Sequence, residues 1–458
     1  MKDRIRHIHF IGIGGVGMAG IAEVCRNLGY EVSGSDLKPS ANTRHLEALG
    51  VRVHIGHRAE AVTGADVVVV SSAVPEDNPE VQAARAQRIP VIPRAMMLAE
   101  LMRMRFGIAI AGTHGKTTTT SLTAAVLTEG ELDPTYVIGG RLNATGSHAR
   151  LGASEYMVAE ADESDASFLH LLPHMAVITN IEEDHMVTYG GDFERLKQTF
   201  VQFVQRLPFY GTVIACHEDE TVRALMPAFE RRTVTYGFDE AADIRAENVR
   251  FDGLRSHFEV VAGERRFAVT LNMPGRHNVL NALAATAVAL ELDVTPEAIA
   301  RALVGFAGIG RRFNVREVTL GGRRVTLVDD YGHHPTEVAA TLAAARQAWP
   351  GRRLHLVFQL HRFTRTAEQF DRFVQVLSQA DDVVLPPVYA AGETPIAGAD
   401  HRSVAQAMRA QGYAQVSAVG ALDEVAPVLA PRLEEDDVVV VMGAGDIGQW
   451  AREVSHGH

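Results

Sequence analysis

The sequence predicts an α/β chain built mainly on parallel sheets and divided into several domains, and three observations predict it. Short β-branched runs such as IHFIGIG, ADVVVVSSA, FGIAIAG, EYMVAEAD, HMAVITNI, VTLVDDY, LHLVFQL and DDVVVVMG alternate with Ala- and Leu-rich helical stretches, the pattern of strands covered by crossover helices. Two of these strands run straight into glycine-rich turns, GIGGVG at 12–17 and GTHGKT at 112–117, as phosphate-binding strand-to-helix turns do. At roughly 100–200 residues per domain, a chain of 458 residues exceeds a single core.

The N-terminal stretch MKDRIRHIHFIGIGG is basic and then apolar. Its apolar part is short and glycine-rich and runs into an amphipathic helix, so it reads as a first β-strand rather than a secretory signal. Gly12, Gly14 and Gly17 follow this strand and Asp36 closes the next one. That spacing matches the dinucleotide fingerprint, in which backbone N–H groups approach a pyrophosphate and an acid meets a ribose hydroxyl. The same turn also serves as a tight strand–helix connection in any doubly wound domain. The helical stretch 94–105 ends this first domain, expected over residues 1–104.

The second domain, expected over 105–309, opens with FGIAI and AGTHGKTTTTS. Gly112, Thr113, His114, Gly115, Lys116, Thr117 and Thr118 form a P-loop in substance: Lys116 reaches phosphates, Thr117 meets Mg2+, and the backbone cradles oxygens. Ile110 stands where the general pattern has its first glycine. Two further strands end in acids, Glu160 with Asp162 and Asp184 with His185. Parallel strands share one carboxyl edge, so these groups converge on metal and phosphate there, unless a carboxylate only caps a helix. Residues 245–273 change to short alternating segments and predict a small antiparallel excursion. In GRHNVLNALAATAVAL, His277 and Asn281 are four apart on one helix face; they suit a purine edge, although such a pair more often serves as caps or core polar groups.

GIGRRF, with Arg311 and Arg312, opens the third domain, expected over 310–458. VDDYGHHP brings Asp329, Asp330, Tyr331, His333 and His334, and FQLHRFTRT brings His361, Arg362 and Arg365. Arginines three apart after a strand clamp a carboxylate or phosphate, or else form a solvated basic face. A second GxGxxG at Gly443, Gly445 and Gly448 is open to a structural and a nucleotide-binding reading alike.

Composition narrows the function. With 44 Lys and Arg against 56 Asp and Glu the net charge is −12, so nucleic acid is not an expected partner. Two cysteines, Cys25 and Cys216, build no disulfide framework and no zinc site, which points to a reducing cytoplasm. No apolar run approaches the roughly 18 residues of a membrane span, so no membrane insertion is expected.

Taken in order, GIGGVGM, GTHGKTTTT, EADESDASFLHL, DHM, GRHNVLNALAA, GRRF, DDYGHHPTE, HRFTRT and GAGDIG resemble the Mur ligase family from end to end. The resemblance implies three domains: Rossmann-like at the N-terminus, a central P-loop ATPase domain, and a Rossmann-like C-terminal domain. It implies an ATP-dependent amide ligase joining L-alanine to the carboxylate of UDP-N-acetylmuramate through an acyl phosphate, in peptidoglycan precursor synthesis. Gly12, Gly14, Gly15, Gly17, Asp36, His57, Ser71 and Arg312 would serve the UDP-sugar. ATP would meet residues 112–118 together with His277, Asn281 and Asp330. Thr117, Glu160 and His185 would hold two Mg2+ ions, for which Mn2+ substitutes. Tyr331, His333, Arg362 and Arg365 would frame the alanine, and Lys116, Glu160, His185 and His333 would be catalytic. The expected state is a monomer or weak homodimer. Leu360 replaces the usual Pro before the His-Arg pair, Val187 follows DHM where an acid is frequent, and Lys197 is the lysine nearest a position that several relatives carbamylate. A ligase adding a preformed tripeptide to the same sugar is the neighbouring reading, and an NAD-dependent oxidoreductase the distant one.

Overall fold

A computed structural model describes residues 4–71, 73–140, 142–143 and 148–455. They form three sheets. The first holds β1 (His7–Ile11), β2 (Glu31–Asp36), β3 (Arg52–Ile55), β4 (Val67–Val70) and β5 (Val91–Pro93) in the order β3-β2-β1-β4-β5, all parallel. This is a Rossmann-like order, in which the crevice beyond the carboxyl ends of the strands takes the ligand. Phe10 pairs with Gly34 on one side and Val69 on the other. A Cβ at Gly34 would lie 2.6 Å from the Phe10 carbonyl oxygen, so only glycine lets the Ile13 turn close over β2.

The second sheet contains β6 (Phe106–Ala111), β7 (Thr135–Val137), β8 (Ala149–Arg150), β9 (Tyr156–Glu160), β10 (Met175–Ile178), β11 (Thr212–Cys216), β12 (Arg232–Gly237), β13 (Ile244–Asp252), β14 (Arg255–Ala262) and β15 (Arg265–Leu271). Its order is β15-β14-β13-β12-β11-β10-β6-β9-β7-β8, parallel from β12 to β7. Two-residue links join β13 to β14 and β14 to β15, and links that short make antiparallel hairpins. This is the antiparallel excursion expected near 245–273. β6, carrying the P-loop, lies between β10 and β9, the two strands with acidic ends.

The third sheet contains β16 (Asn314–Leu320), β17 (Arg323–Asp330), β18 (Leu354–Phe358), β19 (Asp382–Leu385), β20 (Val416–Ala418) and β21 (Val438–Met442), in the order β16-β17-β21-β18-β19-β20. Only β16 runs antiparallel. The central strands β18 and β21 are buried throughout, which explains their unbroken Val and Leu runs.

The fold is therefore the expected α/β with mainly parallel sheets. Contacts gather the chain into two compact units. One comprises Met1–Glu247, Glu259–Ala268 and Leu280–Phe306, and the other Asn248–Phe258, Val269–Val279 and Ala307–His458. Within the first, Phe168 packs against Phe200 and Phe203 of the helix Phe193–Gln205 at centroid distances of 5.2 and 4.8 Å. Among the described residues, no helix is long and apolar enough to cross a membrane.

Candidate active site

In the first unit the P-loop is shaped from behind by β10's continuation. Asn180 accepts from Thr113 N through its carbonyl (2.9 Å) and from His114 N through Oδ1 (2.7 Å), and it donates from Nδ2 to the His114 carbonyl (3.0 Å). Thr179 Oγ1 donates to the same carbonyl at 2.7 Å. Gly112 and Gly115 take φ of +133° and +83°, left-handed values that favour glycine. A Cβ at Gly112 would fall 2.0 Å from Thr179 Oγ1. The turn then opens the helix Lys116–Glu129, whose N-terminal N–H groups and dipole suit an anion. Thr117 and Thr118 are buried in its first turn.

Lys116 Nζ donates to the carbonyls of Gly112 (2.5 Å) and Thr113 (3.0 Å) and meets the Glu163 carboxylate at 2.8–2.9 Å. Burial works against the ammonium, yet attraction from Glu163, Asp162 and Glu160 holds Lys116 above its ordinary value. Glu163 is itself buried, and desolvation pushes its carboxyl up to about 7 despite Lys116. Glu160, at the end of β9, accepts from Gly139 N at 2.7 Å. Asp162 meets Arg94 Nη2 at 3.3 Å. Three carboxylates around one ammonium leave an excess of negative charge, and an all-oxygen set of this kind fits Mg2+. His185 follows in a left-handed conformation (φ +56°) with its ring 3.4 Å from Asp184. Asn281 reaches this loop from a distant part of the chain: its Oδ1 accepts from Thr119 Oγ1 at 3.1 Å, and a Cβ at Gly115 would lie 2.6 Å from it.

The glycine turn after β1 is held by local contacts. Gly12 has φ +78° with Ser71 beside it. Gly15 caps the helix Val16–Asn27. Asp36 Oδ2 accepts from Gly14 N at 2.9 Å. A Cβ at Gly17 would meet the Arg94 guanidinium at 2.8 Å, so Arg94 stands between this turn and Asp162. His57 lies just beyond β3, its Nδ1 2.9 Å from Ser35 Oγ.

In the second unit the expected amino-acid residues form one cluster. Tyr331 and His333 meet edge to face at 5.6 Å, and His333 meets His361 at 5.5 Å. The His361 ring stacks on Tyr389, and its Nδ1 is 3.2 Å from Arg365 Nη1. The two arginines differ: Arg365 is buried, whereas Arg362 is exposed and holds φ +69° at the N-cap of the helix Phe363–Glu368. Glu393 fastens that helix start by accepting from Thr364 N (3.0 Å) and Oγ1 (2.7 Å). Arg312 lies 5.3 Å from the Tyr331 ring centroid. Arg311 instead serves the fold, bonding Asp329 at 3.1 Å and the Gly443 carbonyl at 2.6 Å. Asp330 accepts from Phe313 N and Gly332 N at 2.8 and 2.7 Å, and burial raises its carboxyl despite the nearby Arg312. Burial pushes the half-buried His277 down to about 4, so it is neutral at pH 7.

The second GxGxxG is closely packed. A Cβ at Gly443 would lie 2.9 Å from the Gln359 carbonyl oxygen, one at Gly445 2.4 Å from Gln359 Oε1 and 2.6 Å from the Tyr389 ring, and one at Gly448 2.3 Å from the Arg311 guanidinium.

Comparison with known proteins matches three models along the chain: "Mur ligase family, catalytic domain" at residues 7–106, "Mur ligase middle domain" at 110–289, and "Mur ligase, glutamate ligase domain" at 311–445. The chain belongs to the Mur ligase family. It is 60% identical over 99% of both chains to a Hydrogenovibrio crunogenus protein named UDP-N-acetylmuramate–L-alanine ligase. The crystal structure of the Thermotoga maritima UDP-N-acetylmuramate-alanine ligase matches with a TM-score of 0.83 at 28% identity, covering 99% of each chain. A murein peptide ligase from Psychrobacter arcticus matches with a TM-score of 0.72 at 26% identity, covering 98% of each.

In this Mur ligase the sequence departures have local explanations. Leu360 is fully buried, and its carbonyl accepts from Tyr389 N at 2.9 Å, so leucine fills core volume while the turn keeps its hydrogen bond. Val187 is 75% exposed and needs no partner. Lys197 is held on its own helix by Glu194 and the Phe193 ring. Sequence reasoning missed Glu163, Asn180, Arg94, Tyr389 and Glu393 as members of these clusters. Glu163 and Asn180 lay inside the motifs EADESD and AVITNI, whereas Tyr389 and Glu393 belong to a segment that carried no signal.

Proposed function

We propose that this chain is an ATP-dependent ligase that joins L-alanine to the carboxylate of UDP-N-acetylmuramate in the cytoplasm, as a step of peptidoglycan precursor synthesis. The observation that carries the reading is Lys116, set by the P-loop among Glu160, Asp162 and Glu163, in a chain 60% identical along its whole length to a ligase of that name. The proposed domains are 1–104 for the UDP-sugar, 105–309 for ATP and 310–458 for the amino acid.

A carboxylate resists attack by an amine because it is anionic and has no leaving group. Attack of the muramyl carboxylate on the γ-phosphoryl of ATP forms a C–O–P bond, breaks the β,γ P–O bond, and yields an acyl phosphate with ADP as leaving group. Lys116 and the N–H groups opening its helix stabilise charge on the transferring phosphoryl. Thr117, Glu160 and His185 are assigned to Mg2+, which neutralises phosphate charge when bound; two ions are proposed, with Mn2+ as a substitute. The alanine amine then attacks the acyl carbon, and the tetrahedral adduct expels phosphate. Arg362 and Arg365 hold the alanine carboxylate, Tyr331 lines its site, and His333 takes or orients the amine proton. His277, Asn281 and Asp330 are assigned to ATP. The glycine turn, Asp36, His57, Ser71 and Arg312 are assigned to the UDP-sugar.

Phosphate release with ATP, Mg2+ and UDP-N-acetylmuramate across a panel of amino acids and the tripeptide tests the reading. L-Alanine should give by far the highest kcat/KM. Turnover with the tripeptide and not with alanine would make the chain a peptide ligase instead.

A further inference from the structure

Beneath the first sheet's carboxyl edge lies a buried polar network that the proposed chemistry leaves unused. Glu80 is wholly buried in the first turn of the helix Pro79–Ala86. Its Oε1 accepts from Arg58 N at 3.0 Å, and its Oε2 meets Ser35 Oγ at 2.6 Å and His9 Nε2 at 3.1 Å. Ser35 Oγ also lies 2.9 Å from His57 Nδ1. One carboxylate thus holds both the backbone just after His57 and, through a serine, the His57 ring.

The protons of this chain can be assigned. Burial opposes ionisation of Glu80, but the hydrogen bonds from His9, Ser35 and Arg58 outweigh it and hold the carboxyl below its ordinary range. An ionised carboxylate only accepts, and a serine hydroxyl has one proton to give. That proton points at Glu80, so Ser35 Oγ accepts from His57, whose Nδ1 carries the hydrogen. In the neutral ring Nε2 is then an acceptor. The His57 side chain keeps 16% of its surface exposed, so the ring is reachable.

Its position indicates what it meets. The strand order β3-β2-β1 places the glycine turn at the end of β1, Asp36 at the end of β2, and His57 just beyond β3, where Gly56 N donates to the Asp36 carbonyl at 2.8 Å. A nucleoside diphosphate with its phosphates at the turn and its ribose at Asp36 carries its base towards His57. We infer that Glu80 and Ser35 lock His57 as the Nδ1–H tautomer, so that Nε2 accepts the N3–H of uracil and selects uridine over cytidine, whose N3 has no hydrogen. The inference rests on the assignment of this sheet to the UDP-sugar. Glu80 and Ser35 are positioning residues.

Two substitutions test the relay in the full-length protein. Ser35→Ala removes it with little change of volume. In Glu80→Gln, with the amide oxygen kept on Arg58 N, the amide nitrogen donates to both Ser35 Oγ and His9 Nε2; His9 carries its ring hydrogen on Nδ1, 2.8 Å from Ser33 Oγ, and the serine proton turns to His57 Nδ1 and moves that ring's hydrogen to Nε2. Imidazole 15N spectra, with His57 assigned by the signals missing from His57→Gln, should give Nδ1–H in the wild type and Nε2–H in Glu80→Gln. The wild type should bind UDP more tightly than CDP. That preference should fall about tenfold in Ser35→Ala, the scale of one hydrogen bond, and vanish or reverse in Glu80→Gln, while the KM for ATP is unchanged. An Nε2–H ring in the wild type, or an unaltered UDP/CDP ratio in both variants, overturns the relay. Failure of the wild type to bind UDP-N-acetylmuramate at all overturns the sheet's assignment, and the inference with it.

Discussion

Lys116 and Arg365 are both cations on parallel-sheet edges, yet their surroundings give them different work. Lys116 is gathered by its own loop's carbonyls and by Glu163, a compact point charge surrounded by acceptors. Lys116→Ala should therefore lower kcat by several orders of magnitude, as loss of a preorganised charge on the transferring group does. Affinity for UDP-N-acetylmuramate, read by calorimetry, should stay within about twofold, because that ligand is assigned to other residues. Arg365 is buried beside His361 and is proposed to hold the alanine carboxylate, for which a planar fork is suited in a way that a lysine is not. Arg365→Lys should raise the KM for alanine and lower kcat together, since misplacement of the amine by about an ångström disrupts attack. An unchanged alanine KM in steady-state kinetics would remove this arginine from the amino-acid site.

At the scale of elements, local spacing made the supports legible and tertiary packing hid what leans on them. The strand-turn-helix units at 12–17 and 112–117 were readable because glycine placement and period are local properties. Asn281 was readable as a member of a helix face, but its contact with Thr119 joins residues 162 positions apart, and no pattern in either segment announces it. GAGDIG carried the same spacing as the first glycine turn, and both turns are closely packed, Gln359, Tyr389 and Arg311 standing against the glycines of one as Asp36 and Arg94 stand against Gly14 and Gly17 of the other. The helix Phe193–Gln205 shows how such elements are held: Phe200 is fully buried against Phe168. Phe200→Ala should destabilise the first compact unit by about 3–5 kcal/mol, seen as a lower denaturant midpoint for the transition that exposes it. A shift within experimental error would mean that this helix is not part of the cooperative core.

For the whole molecule, the sequence determines the sheet sequence and the order of motifs because each domain is a run of repeated strand-helix units. Glu80 and Glu393 stayed hidden because an isolated acid in a helix or loop looks like solvated surface until burial and partners are known, and Glu163 because nothing in EADESD says which of its acids turns inward to Lys116. The proposed chemistry is likewise divided along the chain, with Lys116 in one compact unit and Arg365 in the other. In the proposed reaction, activation of the carboxylate precedes and does not require the amine. Positional isotope exchange tests this most directly, with 18O placed in the β,γ-bridge of ATP and with UDP-N-acetylmuramate present but alanine absent. The label should scramble in the wild type, still scramble in Arg365→Lys, and stay in place in Lys116→Ala. Scrambling that appears only when alanine is added, or that survives in Lys116→Ala, would contradict the proposed reaction.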